Sequence, residues 1–271
     1  MDRRPVVFWD SGIGALPYYA HFAGRNPRET VICVADRAHF PYGTRALPAL
    51  RALLERLCGR IVARFDPKVL ALACNTATVS GIAHLRAVFP DRLFVGTFPA
   101  VKPALEESRS GRVILIGTER TVEDQSIDET ARRVRPECRV LKEAATALVA
   151  FAEERACGAS AEERLAAVLP ALRRCEALGA DGLVLGCTHF LFLRDDFIAA
   201  ARECGGGVRI YDSVDGVTRR IESLLDERAL RAPPDAAPQG GRIFLTGGAP
   251  PEPRWEAAAA AAGLSPEAWP V

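Results

Sequence analysis

Cys74 occupies a position where a thiolate could do chemistry. It follows the apolar run Val69–Ala73, which is typical of a buried strand, and it precedes Asn75 and Thr76, which begin a helical pattern. The N–H groups at the start of a helix lower the pKa of a thiol from about 8.5 and favour an anionic ligand group such as a carboxylate. A structural cysteine beside an Asn-Thr helix cap would give the same pattern, because buried cysteines are common.

Cys187 repeats this pattern and adds a histidine. It follows the apolar residues 183–186, and Thr188 and His189 come directly after it. A cysteine with a nearby histidine can act as an acid–base or nucleophile pair. Cys-x-His also fits a fragment of a metal site, but zinc usually requires three or four close ligands. His189 as an ordinary hydrogen-bonded core residue is the third interpretation.

Two loops carry further candidate residues. The segment Asp10–Gly14 follows the first apolar run, and Pro17 stands where a dinucleotide-binding fingerprint needs its third glycine, which excludes that motif. The Asp10 carboxylate can orient or activate a neighbouring thiol, or it is a simple turn residue. Tyr42 and Gly43 fit an ordinary turn, or they reach toward a second carboxylate of a ligand.

Short β-branched runs alternate with longer segments of helical periodicity. This alternation predicts βαβ units and mostly parallel sheets, and the continuous apolar strands indicate sheets covered on both faces. The predicted strands are Val6–Trp9, Thr30–Val34, Val69–Ala73, Leu93–Val95, Val113–Ile116, Val140–Leu141, Gly182–Leu185, Val208–Ile210 and Arg242–Leu245. The predicted helices are Leu47–Arg64, Thr76–Val88, Glu123–Arg135, Ala161–Leu178 and Val214–Leu225.

The order of strand ends occurs twice along the chain. Val6–Gly12 and Val113–Thr118 each form a strand that ends in hydrogen-bonding residues, and a strand that ends in a cysteine follows each of them later. We infer two similar α/β domains that face each other, residues 1–97 with 211–271 and residues 98–210. Ligands bind at the carboxyl ends of strands in open α/β sheets, so both cysteines can line one cleft. Residues 231–241 are predicted as a loop before a last strand and helix.

Composition sets limits on the class of protein. The 271 residues are 49% hydrophobic and 25% charged, which is enough for a real core and suggests about two domains. The net charge is +1 and no basic stripe is present, so we expect no nucleic-acid partner. The apolar runs are too short for a membrane helix or a signal peptide, which predicts a cytoplasmic protein without a membrane partner. The eight widely spaced cysteines without a CxxC pair argue against disulfides and a zinc ribbon.

Four motifs together resemble the glutamate racemases of the aspartate/glutamate racemase superfamily. They are Asp10–Gly14, Pro41–Gly43, Cys74–Ala77 and Gly186–Phe190, and Pro99–Ala104 resembles one branch of the family. The resemblance runs from residue 6 to about 225 and resumes weakly at 244–247. It implies two flavodoxin-like parallel-sheet domains with the active site in the cleft between them.

The resemblance also implies an activity. It implies racemisation of glutamate, the small-molecule substrate, without pyridoxal phosphate or any other cofactor and without a metal, to supply D-glutamate for peptidoglycan. It assigns Cys74 and Cys187 as the paired acid/base residues, assisted by Asp10 and His189. It implies substrate contacts at Asp10, Ser11, Tyr42, Gly43, Asn75, Thr76, Thr121, Thr188 and His189. It leaves a homodimer open as the oligomeric state.

Several positions depart from the family pattern. Ile127 stands where many members have a tyrosine, and Ala150 aligns with a family glutamate, although Glu153 is nearby. Either change could alter the pocket, so racemase chemistry is a firmer expectation than glutamate specificity. Smaller departures are Ala15, Thr78 and Leu191.

Two alternatives stay open at this point. One is a sister enzyme of the same superfamily, an aspartate or hydantoin racemase or a maleate isomerase. The other is an amino-acid-binding regulator on the same scaffold without turnover, although the presence of both cysteines with Asp10 and His189 argues against it.

Overall fold

The computed structural model describes residues 1–237 and 241–271, so residues 238–240 of the predicted loop 231–241 lie outside the described residues. The chain folds into two compact units. Unit 1 contains residues 1–97 and 214–271, and unit 2 contains residues 98–213. The ranges expected from the sequence, 1–97 with 211–271 and 98–210, differ from these units by three residues, and their assignment as domains stays a prediction.

Strands and helices alternate through the described residues. The strands are β1 (Val6–Asp10), β2 (Val31–Ala35), β3 (Val69–Leu72), β4 (Phe94–Gly96), β5 (Arg112–Gly117), β6 (Arg139–Ala144), β7 (Gly182–Gly186), β8 (Arg209–Tyr211), β9 (Gly241–Thr246) and β10 (Leu264–Trp269). The α-helices are α1 (Ala15–Arg25), α2 (Leu47–Phe65), α3 (Asn75–Val88), α4 (Val101–Glu107), α5 (Glu119–Val122), α6 (Gln125–Val134), α7 (Thr146–Glu154), α8 (Ala161–Leu178), α9 (Arg194–Glu203), α10 (Val214–Glu227) and α11 (Pro253–Ala261).

Unit 1 is built on a six-stranded sheet in the order β10-β9-β2-β1-β3-β4. The strand pairs are parallel, and every residue of β1 is buried, as expected for a central strand covered on both faces. One face packs on α2, whose buried residues Leu50, Leu54 and Ile61 recur at helical spacing. The packing fixes β1 and β3 side by side, so the residues that follow them meet at one edge of the sheet.

Unit 2 is built on a four-stranded parallel sheet in the order β6-β5-β7-β8. This is the order second-first-third-fourth, and β2-β1-β3-β4 in unit 1 has the same order. Parallel sheets of this order are flavodoxin-like. The predicted fold class is therefore confirmed, and the predicted repeat corresponds to β1 with β5 and to β3 with β7.

The sequence patterns do not predict the last strand, β10. It carries Pro266 and only its two end residues, Leu264 and Trp269, are buried. It lies at the edge of the sheet, where a proline is tolerated because one side of the strand has no partner. The sequence patterns also do not predict helices α1, α4, α5, α7 and α9. Helix α1 contains Pro17 and Gly24, which weaken a helical pattern. No helix within 1–237 and 241–271 has the length and apolarity to cross a membrane.

A buried ion pair joins distant segments of unit 1. The Nζ atom of Lys68 lies 2.5 Å from a carboxylate oxygen of Glu29, and both side chains are almost fully buried. Lys68 also donates to the carbonyl oxygens of Asp2 at 2.8 Å and Leu230 at 2.9 Å. The ammonium group therefore holds the entry to β3 against the chain that follows α10.

We expect Lys68→Met to destabilise unit 1 strongly. The substitution leaves the Glu29 carboxylate buried without its cation, and breaking such a pair costs about 3–5 kcal/mol. The matched control is Arg3→Met at the exposed pair Arg3–Asp235, for which about 0–1 kcal/mol is expected. Urea unfolding followed by circular dichroism measures both values, and equal losses in the two variants would contradict the assigned role of Lys68.

Candidate active site

Cys74 lies at the carboxyl end of the central strands of unit 1. The chain leaves β3 through Ala73, whose N–H still donates to the carbonyl oxygen of Trp9 in β1 at 2.8 Å. Cys74 is then the N-cap residue of α3 and its side chain makes no capping hydrogen bond. The thiol is therefore held at the start of a helix, where backbone N–H groups favour an anion.

Asp10 and Ser11 lie beside this thiol. The hydroxyl oxygen of Ser11 is 3.8 Å from the sulfur of Cys74 and 3.3 Å from Oδ1 of Asp10. The N–H of Gly12 donates to the same Oδ1 at 2.7 Å, which fixes the orientation of a fully buried carboxylate. Ser11 therefore connects the carboxylate and the thiol, two groups that the sequence predicts at neighbouring strand ends.

The side chains at the start of α3 have distinct partners. The Nδ2 group of Asn75 donates to the carbonyl oxygen of Thr97 at 2.9 Å, while its Oδ1 atom, buried, lacks a hydrogen-bond partner among the described residues. The hydroxyl of Thr78 donates to Leu72 and accepts from the N–H of Thr97, so it connects β3 to the end of β4 and is not open to a ligand.

Tyr42 lies near Cys74 but its hydroxyl is already used. The ring is buried and the hydroxyl donates to Oδ2 of Asp36 at 2.6 Å. Burial, together with the negative charge of Asp36, raises the pKa of Tyr42 well above its usual value. The N–H of Arg45 donates to the carbonyl oxygen of Tyr42 at 3.2 Å, which closes a turn over residues 42–45.

Asp36 is a functional candidate that the sequence patterns did not single out. It follows β2 at the sheet edge that carries Asp10, and its N–H donates to the carbonyl oxygen of Asp10 at 2.9 Å. Its position after a buried strand was an available signal. Its partners, Tyr42 and Thr246, are only brought to it by folding.

Cys187 has the equivalent place in unit 2. It follows β7 and precedes a short 3₁₀ helix, Thr188–Leu193. The residue before it must be small, because a Cβ on Gly186 would lie 2.8 Å from the carbonyl oxygen of Ile116 in β5. The close approach of β5 and β7 thus fixes the backbone at Gly186, directly before Cys187.

Cys187 begins a chain of three buried groups. Its sulfur lies 3.7 Å from Nδ1 of His189, and Nε2 of His189 lies 2.8 Å from a carboxylate oxygen of Glu153 in α7. Burial lowers the pKa of His189, but the hydrogen bonds with Cys187 and Glu153 and their charges outweigh it, so the pKa lies well above its usual value. The contacts with Cys187 and Glu153 therefore favour the protonated imidazole.

Ala150 and Glu153 lie on the same helix, α7. Ala150 is exposed on α7, and Glu153, one turn further along the helix, is buried and meets His189. Ile127 packs in the apolar core of unit 2 with Leu115 and Val184.

The remaining predicted residues of unit 2 lie near the same sheet edge. The hydroxyl oxygens of Thr121 and Thr118 are 2.9 Å apart, at the end of β5, which pairs with β7 through Gly117 and Gly186. Thr188 is buried directly after Cys187. Thr121 is fully buried, so it supports the turn after β5.

The other cysteines have different surroundings. All eight cysteines are free thiols. Burial raises the pKa of Cys58 and of Cys175 to about 12. These thiols stay protonated and act as apolar packing groups. Within 1–237 and 241–271, no group of three or more His, Cys, Asp or Glu side chains is arranged to hold a metal ion.

Both sites can therefore move a proton. Each offers a thiol at a strand end with a buried polar partner, a hydroxyl and carboxylate in unit 1 and an imidazole and carboxylate in unit 2. A thiol at such a place alternates between thiol and thiolate and serves as an acid or a base.

Comparison with known proteins identifies the class. Residues 20–221 match the family model described as Asp/Glu/Hydantoin racemase, so the chain belongs to this family. The glutamate racemase of Sphingopyxis alaskensis is 35% identical over 251 residues, which is 92% of this chain and 91% of the relative. The glutamate racemase of Pseudomonas entomophila is 37% identical over 239 residues, 86% of each chain.

Solved structures agree with this assignment. The Escherichia coli glutamate racemase, crystallised with L-glutamate and the activator UDP-MurNAc-ala, matches with a TM-score of 0.80 and 27% identity over 98% of this chain and 97% of that chain. The Francisella tularensis glutamate racemase in complex with D-glutamate has the same fold, with a TM-score of 0.81 and 18% identity over 100% and 98% of the chains. The protein is an amino-acid racemase, and the expected resemblance to the glutamate racemases is confirmed.

We expect Glu153→Gln to lower the pKa of His189. The neutral amide removes the negative charge that favours the imidazolium, while the burial that disfavours it remains. In the wild type the cation stabilises the fold fully below the unfolded pKa of about 6.5, and this contribution is lost as the pH rises through the higher folded pKa. The variant loses it at a lower pH.

Nitrogen-15 NMR titration of His189 measures this change directly. The control is Glu55→Gln, which removes the carboxylate 2.8 Å from His84 in unit 1. This substitution should leave the pKa of His189 unchanged. An unchanged His189 titration in Glu153→Gln would refute the role given to this carboxylate.

Proposed function

We propose that the protein interconverts L- and D-glutamate by proton transfer between Cys74 and Cys187, without a cofactor. One observation carries the proposal: the two cysteines follow equivalent strands, β3 and β7, of two sheets with the same strand order. Each is also in contact with a buried polar partner. Packing alone does not require this match.

Inversion of a stereocentre needs a base on one face of Cα and an acid on the other. In the proposed reaction a thiolate removes the α-proton, and the other cysteine, as a thiol, delivers its proton to the opposite face. The two cysteines have then exchanged their protonation states, so the reverse reaction starts from the opposite arrangement. A single base would instead have to move around the substrate between the two transfers.

In unit 1, Asp10 and Ser11 assist Cys74. The Ser11 hydroxyl can turn between the sulfur and Oδ1 of Asp10, which lie 3.8 Å and 3.3 Å from it. When Cys74 is a thiolate, a hydroxyl that donates to sulfur stabilises it. When Cys74 is a thiol, the same hydroxyl donates to Asp10. The pair thus accommodates both protonation states without movement of the backbone.

In unit 2, His189 and Glu153 assist Cys187. A cationic imidazole next to the sulfur stabilises a thiolate, and Glu153 keeps the ring charged and oriented. Both partners are buried, so water does not weaken their interaction with the sulfur.

The substrate's α-amino acid groups fit the start of α3. The backbone N–H groups that begin this helix suit the α-carboxylate, whose charge grows when the proton leaves Cα. Thr76, in the first turn of α3, and Thr188, directly after Cys187, carry hydroxyl groups that can donate to the substrate. The Asn75 Oδ1 atom, an acceptor without a partner among the described residues, suits the α-ammonium group.

Glutamate carries a second carboxylate at the end of its side chain. We assign it to the turn at Tyr42 and Gly43, where the phenol is bound to Asp36 and the backbone remains to donate. The names of the relatives with 35% and 37% identity favour glutamate over aspartate. In the cell, the reaction would supply D-glutamate for peptidoglycan in the cytoplasm, as the family resemblance implies.

Solvent deuterium tests the proposed reaction. We expect the purified protein in D₂O, without added cofactor, to introduce deuterium at Cα of L-glutamate and of D-glutamate and to equalise the enantiomers. Mass spectrometry and chiral chromatography measure the two processes. Exchange with aspartate but not glutamate would assign the sister enzyme, and binding of glutamate without exchange would assign a regulator.

We expect Cys74→Ala and Cys187→Ala each to lower racemisation by about 10²- to 10⁴-fold, because each removes one acid–base group. Glutamate should still bind, since neither substitution removes a donor to its carboxylates. Residual α-proton exchange should be confined to opposite enantiomers in the two variants, because each keeps the base of one face. Cys157→Ala, at an exposed thiol, is the control. Full racemisation by either variant would rule out the two-cysteine mechanism.

A further inference from the structure

Unit 1 contains a buried cluster around Asp36 that the proton-transfer steps do not use. The carboxylate is fully buried and accepts hydrogen bonds from the hydroxyls of Tyr42, at 2.6 Å, and Thr246, at 2.5 Å. Nδ1 of His39 lies 2.8 Å from the same carboxylate. A buried carboxylate needs such partners, and their number fixes its position.

Thr246 comes from the end of β9, far along the chain. Its hydroxyl accepts a hydrogen bond from the N–H of Ala38 at 3.2 Å and donates to Oδ1 of Asp36. The hydroxyl is therefore used as donor and acceptor, which leaves it one orientation. Its side chain holds both Asp36 and the backbone that follows it.

Arg37 joins the same two segments, but here the side chain comes from the segment after β2 and its partners lie at and after the end of β9. Its guanidinium donates to the carbonyl oxygens of Thr246 at 3.1 Å and Pro250 at 3.0 Å, and to Glu252 at 2.7 Å. The side chain is only 9% exposed. The segment after β2 and the segment after β9 are thus fastened to each other by side chains from both.

We propose that Thr246 is a positioning residue for the substrate-binding turn 42–45, acting through Asp36 and the hydroxyl of Tyr42. The inference rests on the proposed function, in which this turn binds the second carboxylate of the substrate. The C-terminal strand β9 thereby sets the position of a loop more than two hundred residues earlier in the chain.

Thr246→Val tests the proposal, because it keeps the shape of the side chain and removes the hydroxyl. Asp36 keeps its contacts with Tyr42 and His39 in this variant. We therefore expect the turn 42–45 to form but to be held less firmly. A hydrogen bond to a charged group is worth enough for about a tenfold effect. We expect KM for both glutamate enantiomers to rise about tenfold and kcat to change by less than about threefold, as for an interaction made equally in ground and transition states.

A second measurement does not depend on activity. Hydrogen–deuterium exchange of the peptide that contains residues 42–45 should be faster in Thr246→Val than in the wild type, because the turn opens more often. Thr246→Ser retains the hydroxyl and should restore both KM and exchange. If Thr246→Val does not fold, the same measurements are made on Thr246→Ala, which also lacks the hydroxyl.

Thr218→Val is the matched control. Thr218 is also fully buried in unit 1, on α10, and its hydroxyl has no hydrogen-bond partner among the described residues. The same substitution there should leave KM and the exchange of 42–45 unchanged. If Thr246→Val acted only by lowering the stability of unit 1, Thr218→Val should change KM and exchange in the same way.

The path through Asp36 is tested by combining Thr246→Val with Tyr42→Phe. If both act through this carboxylate, the KM of the double variant rises less than the product of the single effects. Multiplying effects would remove Asp36 from the path, and unchanged KM and exchange in Thr246→Val would overturn the proposal. Absence of racemisation in the wild type would instead reject the proposed function, while the exchange measurement still decides the role of Thr246.

Discussion

The carboxyl ends of parallel strands govern the chemistry of this protein. In a parallel sheet all strands end at the same edge, and the backbone N–H groups of the following helices point toward it. In unit 1 this edge brings together Asp10, Asp36 and Cys74 from three neighbouring strands. In unit 2 the equivalent edge carries Thr118 and Cys187. The functional groups are therefore placed by the sheet order, and the helices only supply partners.

The two cysteines have equivalent positions but different chemical surroundings. Ser11 gives Cys74 a neutral partner that can donate to sulfur or to Asp10. His189 gives Cys187 a partner whose pKa is raised by the hydrogen bonds with Cys187 and Glu153. A cationic neighbour favours the thiolate, whereas a neutral hydroxyl tolerates both states. In the proposed mechanism, this asymmetry gives the two cysteines different partners during the transfer of the proton.

Local sequence patterns were sufficient to locate the candidate residues that directly follow a strand. Asp10, Cys74 and Cys187 could be located because an apolar run and a following polar residue are visible within a few positions of the sequence. Glu153 and Thr246 could not, since their partners His189 and Asp36 are 36 and 210 residues away. Glu153 also lies in α7, a helix that the sequence pattern does not predict. The side of the helix on which Glu153 lies could therefore not be inferred from the sequence.

Strand order was predictable only in part for the same reason. Alternating strands and helices indicate parallel sheets, and the repeated strand ends indicate two similar units, but neither sets how the C-terminal residues join the first sheet. The structure places β9 directly against β2, with Val34 opposite Phe244. This register brings Thr246 to the end of β2, next to Asp36, a contact that a shift of one residue would destroy because side chains alternate between faces. The family match, residues 20–221, includes neither Asp10 nor Thr246. The edge of the first sheet is therefore complete only when both ends of the chain are folded onto it.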